Sequence, residues 1–582
     1  MATVTSGAFG IDLTSFFDFA HDPTDGTVIT HTATTWAVDF GGGTVLTWTG
    51  SSLTYDSNHI PNAGSFSDLV VTFNGSLYVA IHGLTLGVAG YLSNIGFTAD
   101  LLDAMFENSD TITGSAASDA IMGWRGTDTI HGGGGNDTIS GDDFLSFPLQ
   151  GNDILYGDAG DDIITGDLGN DVISGGSGVD NLSGGGGNDT IHGDAAADFL
   201  NGGTGSDVID GGAGIDRISF TGSVAVTVDL TNTGAQLVST YDGLKTLTSI
   251  ENVLTGGFND TIIGNDVANV LNGNTGDDTV SGGGGNDSIA IVEGADVIDG
   301  GNGIDTAYVG FYIFADNTGV MIDLSLTSAQ DIGDGRGSLT LTNVENLTGS
   351  DFGDTLIGNS GANVLDGGIG ADQLTGRGGN DTYVIDSAGD QITEVAAGGT
   401  ADLVLSSITR TLTANLENLT LTGTSVINGT GNTLANVIIG NTGGNILKGG
   451  DGADTLSGGG GDDALYGQTG QDSLTGGAGR DAFVLNSPLT AANADTITDF
   501  SVPADTIKLE NSVFTELGGA GVLATAKFFI GANAHAAADR IIYNSSTGAL
   551  YYDGNGNASG GKTLIATLDT GLALTHNDFV VI

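Results

Sequence analysis

Aspartate returns every nine residues through the middle of this chain. Asp162, Asp171, Asp180, Asp189, Asp198, Asp207 and Asp216 are the sixth letters of seven consecutive units that divide residues 157–219 without a gap: GDAGDDIIT, GDLGNDVIS, GGSGVDNLS, GGGGNDTIH, GDAAADFLN, GGTGSDVID and GGAGIDRIS. Carboxylates at a fixed short period collide when the units stack. In parallel coils about 4.8 Å apart, two neighbouring charges repel by roughly 3 kcal/mol at an effective dielectric of 20. A divalent cation removes that conflict. Calcium takes about six to eight oxygens from carboxylates and backbone carbonyls alike, whereas magnesium demands stricter geometry and keeps its waters, so the pattern points to calcium.

These carboxylates need turns and strands to position them. The nine-residue frame extends over four clusters, residues 114–219, 255–308, 349–384 and 431–484, giving 27 units. The sixth position is Asp in 23 of them and Asn in four (Asn269, Asn363, Asn436, Asn445), and the eighth is Leu, Ile or Val in 24. An insertion with Phe144, Phe147 and Pro148 breaks the first cluster once and reads as an excursion loop. Glycines at the first, second and fourth positions permit the positive backbone dihedrals of a tight, carbonyl-presenting loop, and triplets such as Thr138-Ile139-Ser140 read as short strands. One unit cannot bury its single aliphatic side chain, but stacked units can. The expected form is a solenoid with an Ile/Leu/Val ladder inside and Asp ladders outside.

The candidate metal-ligating aspartates are Asp128, Asp137, Asp153, Asp162, Asp171, Asp180, Asp189, Asp198, Asp207 and Asp216 in the first cluster and Asp278, Asp287, Asp296 and Asp305 in the second. Asp354, Asp372 and Asp381 follow in the third, and Asp454, Asp463, Asp472 and Asp481 in the fourth. Their companions in the first cluster are the loop glycines Gly132, Gly133, Gly135, Gly175, Gly176, Gly178, Gly184, Gly185, Gly187, Gly202, Gly203, Gly205, Gly211, Gly212 and Gly214. Beyond it come Gly282, Gly283, Gly285, Gly300, Gly301, Gly303, Gly367, Gly368, Gly370, Gly449, Gly450, Gly452, Gly458, Gly459 and Gly461.

Composition narrows the function classes. With 12 Lys+Arg against 71 Asp+Glu, the formal net charge of −59 leaves no basic face for a nucleic acid. The acids are 63 Asp and only 8 Glu, which suits turns rather than helices. No cysteine is present, so disulfides and thiolate metal sites are excluded. The first residues lack a basic n-region and carry Asp12 and Asp18, unlike a cleaved secretory signal. Residues 69–99 hold no charged side chain, but their alternation about Asn74-Gly75-Ser76 reads as strands rather than a membrane span.

The units GGGGNDTIS (132–140), GGGGNDTIH (184–192) and GGGGNDSIA (282–290) resemble the nonapeptide of RTX (repeats-in-toxin) secreted calcium-binding proteins. The resemblance implies a parallel β-roll in which two nonapeptides make one turn and calcium lies between the loops of units n and n+2. In this numbering it pairs Asp162 with Asp180, Asp171 with Asp189, Asp189 with Asp207, Asp198 with Asp216, Asp278 with Asp296 and Asp287 with Asp305. It likewise pairs Asp354 with Asp372, Asp454 with Asp472 and Asp463 with Asp481. Loops that lack the fourth glycine, as at Asp198, or that carry a sixth-position Asn should bind weakly or not at all. The Asn units are either uncharged end coils or sequence drift.

Between clusters run β-like stretches, SVAVTVDLTNTGAQ (223–236) and GVMIDLSLTSAQ (319–330), with a shared exit phrase: SIENVLTG at Ser249, NVENLTGS at Asn343 and NLENLTLTG at Asn415. They read as solenoid coils with outward loops. DTITDF (495–500), DTIKLENSVF (505–514), GALYYDGNGN (548–557) and Asp578-Phe579-Val580-Val581-Ile582 resemble the C-terminal domain of serralysin-like proteases, which implies an uncleaved address for a type I exporter. Asp553-Gly554-Asn555-Gly556-Asn557 lacks the distal Glu of an EF-hand and reads as a hairpin turn.

The expected fold class is all-β, a calcium-stabilised parallel β-roll or β-solenoid in four clusters. It is divided into a β-rich N-terminal domain (1–112), roll block 1 (113–219), a connecting segment (220–254), block 2 (255–308), a connecting segment (309–348), block 3 (349–384), a connecting segment (385–430), block 4 (431–484) and a β-rich C-terminal secretion domain (485–582). Residues 98–110 read as a short helix leading into the roll. No HExxH and no GxSxG occurs, so a serralysin-type protease and the usual lipase elbow are excluded and no enzyme is expected. The expected function is a secreted calcium-binding adhesin, surface-layer or matrix component. Its partners are calcium ions, the type I secretion machinery, and a cell surface, a polysaccharide or further copies of itself. The alternative is a small N-terminal enzyme or hemophore-like binder, using His82 with Tyr55 or Tyr78, exported on the repeats.

Overall fold

In a computed structural model the described residues are 109, 111–124, 126–142, 151–220, 222, 224–310, 318–333, 335–396 and 398–582, with the backbone of the strands inside 4–87. The helix expected over 98–110 and the insertion around Phe144 lie outside them. The architecture is all-β: apart from three short 3-10 turns, every described element is a strand. Among the described residues no helix is long and apolar enough to cross a membrane.

The chain divides into two compact units, Met1–Gly303 and Ile304–Ile582. In the first, alternate repeats feed two parallel sheets. Ile154–Ala159, Val172–Ser177, Thr190–Ala195 and Asp207–Asp210 stack in one, while Ile163–Thr165, Asn181–Ser183, Phe199–Asn201 and Arg217–Ser219 stack in the other. Ile154 lies beside Val172, Val172 beside Thr190, and Ile163 beside Asn181, so each coil consumes eighteen residues, two repeats. The core is the eighth-position ladder. Leu155, Ile164, Ile173, Leu182, Ile191, Leu200, Ile209 and Ile218 are at most 1% exposed, and each contributes about 1.5–3 kcal/mol by leaving water.

The connecting segment changes one wall only. The hairpin Gln236–Ser239/Gly243–Thr248 adds its second strand in parallel to Asp207–Asp210, and Thr227–Asp229 opens a new sheet with Thr261–Ile263. The other wall continues from Arg217–Ser219 through Asn252–Leu254 to Val270–Asn272. At the N-terminal side, Pro61–Phe73 and Ser76–Gly87 form an antiparallel hairpin with Phe73 opposite Ser76. Its second strand pairs with Thr111–Thr113, the first strand of the roll. The β reading of residues 69–87 therefore holds at the level of the backbone.

The second unit repeats the plan. One wall runs from Thr306–Val309 through Thr382–Ile385 to Ser473–Ala478 and Asp495–Ile497, the last step lying beyond the final nonapeptide. Ala482–Leu485 pairs in parallel with Thr506–Leu509, which pairs with Phe579–Val581. Ala549–Asp553 and Lys562–Thr567 are antiparallel, with Asp553 opposite Lys562, so the Asp-Gly-Asn-Gly-Asn run lies within a hairpin connection.

Candidate metal centre

In a strand, residues two apart share a face, so an acid at the sixth position turns inward with the aliphatic residue at the eighth. The expectation of Asp ladders outside the solenoid is corrected on this point. Every candidate aspartate is buried, none more than 5% exposed, while seventh-position residues such as Ile163 (54%) and Val208 (46%) face solvent.

The buried carboxylate does two different things with its two oxygens. Its Oδ1 accepts the backbone N–H of the sixth residue one coil earlier: Asp162 N–H to Asp180 at 2.8 Å, Asp171 to Asp189 at 2.9 Å, Asp189 to Asp207 and Asp198 to Asp216 at 2.8 Å. Asp278 to Asp296 (3.0 Å), Asp354 to Asp372, Asp454 to Asp472 (both 2.8 Å) and Asp463 to Asp481 (2.9 Å) repeat the contact. Across the insertion the spacing grows to twenty-five, Asp128 to Asp153 and Asp137 to Asp162, and the ladder continues unbroken.

The other oxygen has no partner in the protein. Oδ2 of Asp137, Asp153, Asp162, Asp171, Asp180, Asp189, Asp198 and Asp216 is buried without a hydrogen bond, as it is in Asp454, Asp463, Asp472 and Asp481. A polar atom left so costs about 1–3 kcal/mol, more when charged. Each points into space that a side chain on the first glycine would fill. A Cβ on Gly157 would sit 2.3 Å from Asp162 Oδ2 and 2.5 Å from the Gly175 carbonyl, and one on Gly458 would sit 2.2 Å from Asp463 Oδ2 and 2.5 Å from the Gly476 carbonyl. Gly176 and Gly178, with φ of 105° and 131°, turn the loop where an L side chain is strained. The result is a recess with hard oxygen donors, a carboxylate and a carbonyl, which is the donor set calcium prefers.

Burial holds these groups against ionisation. It pushes Asp171 up to about 8 and Asp198 to about 7 against the opposing backbone hydrogen bonds, with neighbouring carboxylates adding to the rise; Asp137, Asp180 and Asp189 reach about 6.

The four asparagine units are closed differently. Asn269, Asn363, Asn436 and Asn445 donate their backbone N–H groups to Oδ1 of Asp287, Asp381, Asp454 and Asp463 one coil later. Their side-chain NH2 donates to backbone carbonyls of the preceding coil: Glu251, Glu345, Glu417 and Ile427. Their Oδ1 in turn accepts N–H groups of Asn265, Asn359, Asn432 and Asn441.

Several ladder members escaped the nine-residue period. Glu251, Glu345 and Glu417 of the exit phrases accept the N–H of Asp216, Asp305 and Asp402 at 2.8–2.9 Å, taking the sixth-position place. Asp402, Asp495 and Asp505 do the same for Asp381, Asp472 and Asp481. The missed signal is local: Glu251, Asp402, Asp495 and Asp505 each stand two residues before a buried aliphatic, Val253, Val404, Ile497 and Ile507. Asp207 differs from its column, because its Oδ2 meets the Lys245 ammonium at 2.7 Å.

One centre has three carboxylates. Ligand atoms of Asp381, Glu394 and Asp402, all buried, lie within 4.8 Å of one another. Oδ2 of Asp381 and of Asp402 has no partner, and Tyr383 donates its hydroxyl to Glu394 Oε2. Burial pushes Asp381 up to about 7, and Glu394 and Asp402 are raised by the same cause. The side chains of His82, Tyr55 and Tyr78 lie outside the described residues.

A family model described as the RTX calcium-binding nonapeptide repeat matches residues 106–139, 149–182, 183–218, 254–289, 293–310, 348–383, 430–465 and 457–487. A search of curated proteins finds no match to the chain. The matched stretches contain the sixth-position aspartates whose second oxygen faces the glycine recess, and in that agreement of sequence with geometry these stretches are RTX calcium-binding nonapeptide repeats, present in enough copies to bind several calcium ions.

Proposed function

We propose that the sixth-position aspartates and the first, second and fourth glycines of the repeats are the calcium ligands, and that calcium decides whether the roll folds. The observation that carries this reading is the run of buried, unpaired Oδ2 atoms directed at glycine recesses. At roughly millimolar calcium and a site constant of about 10⁻⁴ M, each filled site stabilises the fold by about 1.4 kcal/mol. The centre at Asp381, Glu394 and Asp402 binds most tightly, because affinity rises with ligand charge.

In this reading the chain leaves the cell unfolded through type I machinery that reads an address in residues 485–582, and it folds outside as a non-catalytic adhesin, surface-layer or matrix component. A chain with net charge −59 and 102 glycines stays expanded while calcium is scarce, a state suited to a narrow exporter. The test is circular dichroism of the full chain in chelator, then in excess calcium, then in magnesium. Recovery of β signal with calcium alone is expected. A β-rich spectrum unchanged in chelator would overturn the folding switch, and efficient export of a chain cut after Leu485 would overturn the address.

A further inference from the structure

Lys245 is the one buried lysine among the described residues, in a chain with 12 Lys+Arg altogether. It lies beside Asp207 in the parallel register, with Thr246 beside Val208 and Leu247 beside Ile209, so it occupies the place where the next sixth-position carboxylate of that column belongs. Instead of a second negative charge, the column Asp153, Asp171, Asp189, Asp207 meets an ammonium. Both side chains are fully buried, and Nζ lies 2.7 Å from Asp207 Oδ2. Nζ also donates to the Gly205 carbonyl at 3.1 Å and to the Asp242 carbonyl.

The stem of this lysine fills the recess that stays open elsewhere. A Cβ on Gly202 would meet Asp207 Oδ2 at 2.5 Å and Lys245 Cε at 3.1 Å. On the equivalent Gly157 and Gly184 the corresponding neighbours are a carboxylate oxygen and the carbonyl of the following coil. The ammonium thus takes the same kinds of oxygen, one carboxylate and loop carbonyls, that a calcium ion would take. The companion column, Asp162, Asp180, Asp198, Asp216, ends instead on Glu251 and gains a charge.

We infer that Lys245 is a built-in cation that occupies the terminal site of its column, so that Asp207 is neutralised by the chain itself and takes no calcium there. The inference rests on the reading that the other sixth-position carboxylates hold calcium. It adds that this column's last site is closed and that replacing the lysine opens it. An ammonium satisfies the buried carboxylate at every calcium concentration, giving the roll a coil boundary independent of the ion.

The experiment counts calcium ions bound per full-length chain at saturation, by equilibrium dialysis, for the unaltered protein and for Lys245→Asp, Lys245→Arg, Asp207→Asn and Asp189→Asn. Lys245→Asp is expected to gain one ion and Lys245→Arg to keep the original number. Asp207→Asn is expected to lose none, and Asp189→Asn to lose one. Loss of an ion in Asp207→Asn, or no gain in Lys245→Asp, would overturn the inference while leaving the calcium reading intact. An unaltered protein that binds no calcium would instead overturn the reading beneath it. Should Lys245→Asp fail to fold, Asp207→Asn decides alone.

Discussion

The aspartate coils at Asp162, Asp180 and Asp198 and the asparagine coils at Asn436 and Asn445 share one backbone. Each sixth residue accepts or donates along an eighteen-residue ladder, and each eighth residue is a buried aliphatic. They differ in one atom. Where aspartate presents a second oxygen with nothing to meet it, asparagine presents an NH2 that reaches the carbonyl of Glu417 or Ile427. The coil can therefore be closed from outside by a cation or from inside by an amide, and the side chain chosen sets whether that coil depends on its surroundings.

The largest break in this comparison should come from the metal. Chelation near pH 8 is expected to abolish the far-ultraviolet β signal of the full chain, with hydrogen exchange showing the aspartate coils of residues 157–219 losing protection before Asn436 and Asn445.

Acid should partly reverse that loss. Asp171, Asp198 and Asp189 are raised in the fold to about 8, 7 and 6, above their value in the unfolded chain. A group raised in this way gives stability that is fully present below about pH 4 and is lost as pH climbs through the folded value. In chelator, then, lowering the pH from 8 to 4 should restore β structure. With calcium present the same descent should weaken binding, since protons compete for the same oxygens. A chelated protein equally unfolded at both pH values would contradict the burial of these groups.

Single substitutions sharpen the contrast further. Asp189→Ala should cost about 1–3 kcal/mol in calcium and remove bound ion. Asn363→Ala should cost about 1–3 kcal/mol in calcium while leaving the number of bound ions unchanged, because it deletes the bond to the Glu345 carbonyl and no ligand. Equal calcium losses in the two variants would defeat the distinction. The smallest effect is expected of Glu394→Gln, which should leave the β signal intact and lower the affinity of one tight site about tenfold in a calcium titration.

Much of this was legible in the letters. The nine-residue period yields the solenoid and its aliphatic core, because these are fixed by residues within one repeat, while the eighteen-residue coil and the spacing of eight of the aspartate pairs described above followed from the resemblance to the RTX nonapeptide. The direction of the aspartates was misjudged although the alternation Asp-x-Ile-x already places acid and aliphatic on one face. Glu251, Asp402, Asp495 and Asp505 were missed for a different reason. Insertions shift their spacing, and only the local triplet of acid, any residue and buried aliphatic survives. The partnership of Lys245 with Asp207 spans 38 residues, which is no multiple of the repeat, so no period could announce it.

The ladder passes the insertion after Asp142 with its spacing stretched from eighteen to twenty-five and its contacts unchanged, Asp137 N–H to Asp162 at 2.7 Å. Extra chain between repeats costs only slowly growing loop entropy, and the coils on either side recognise each other by their own letters. Such a fold has the grammar of a list rather than of a sentence: terms can be duplicated, or foreign matter set between them, without rewriting the remainder. The junction after Asp142 is therefore a point at which an engineer could splice in a passenger and leave the ladder on either side in register.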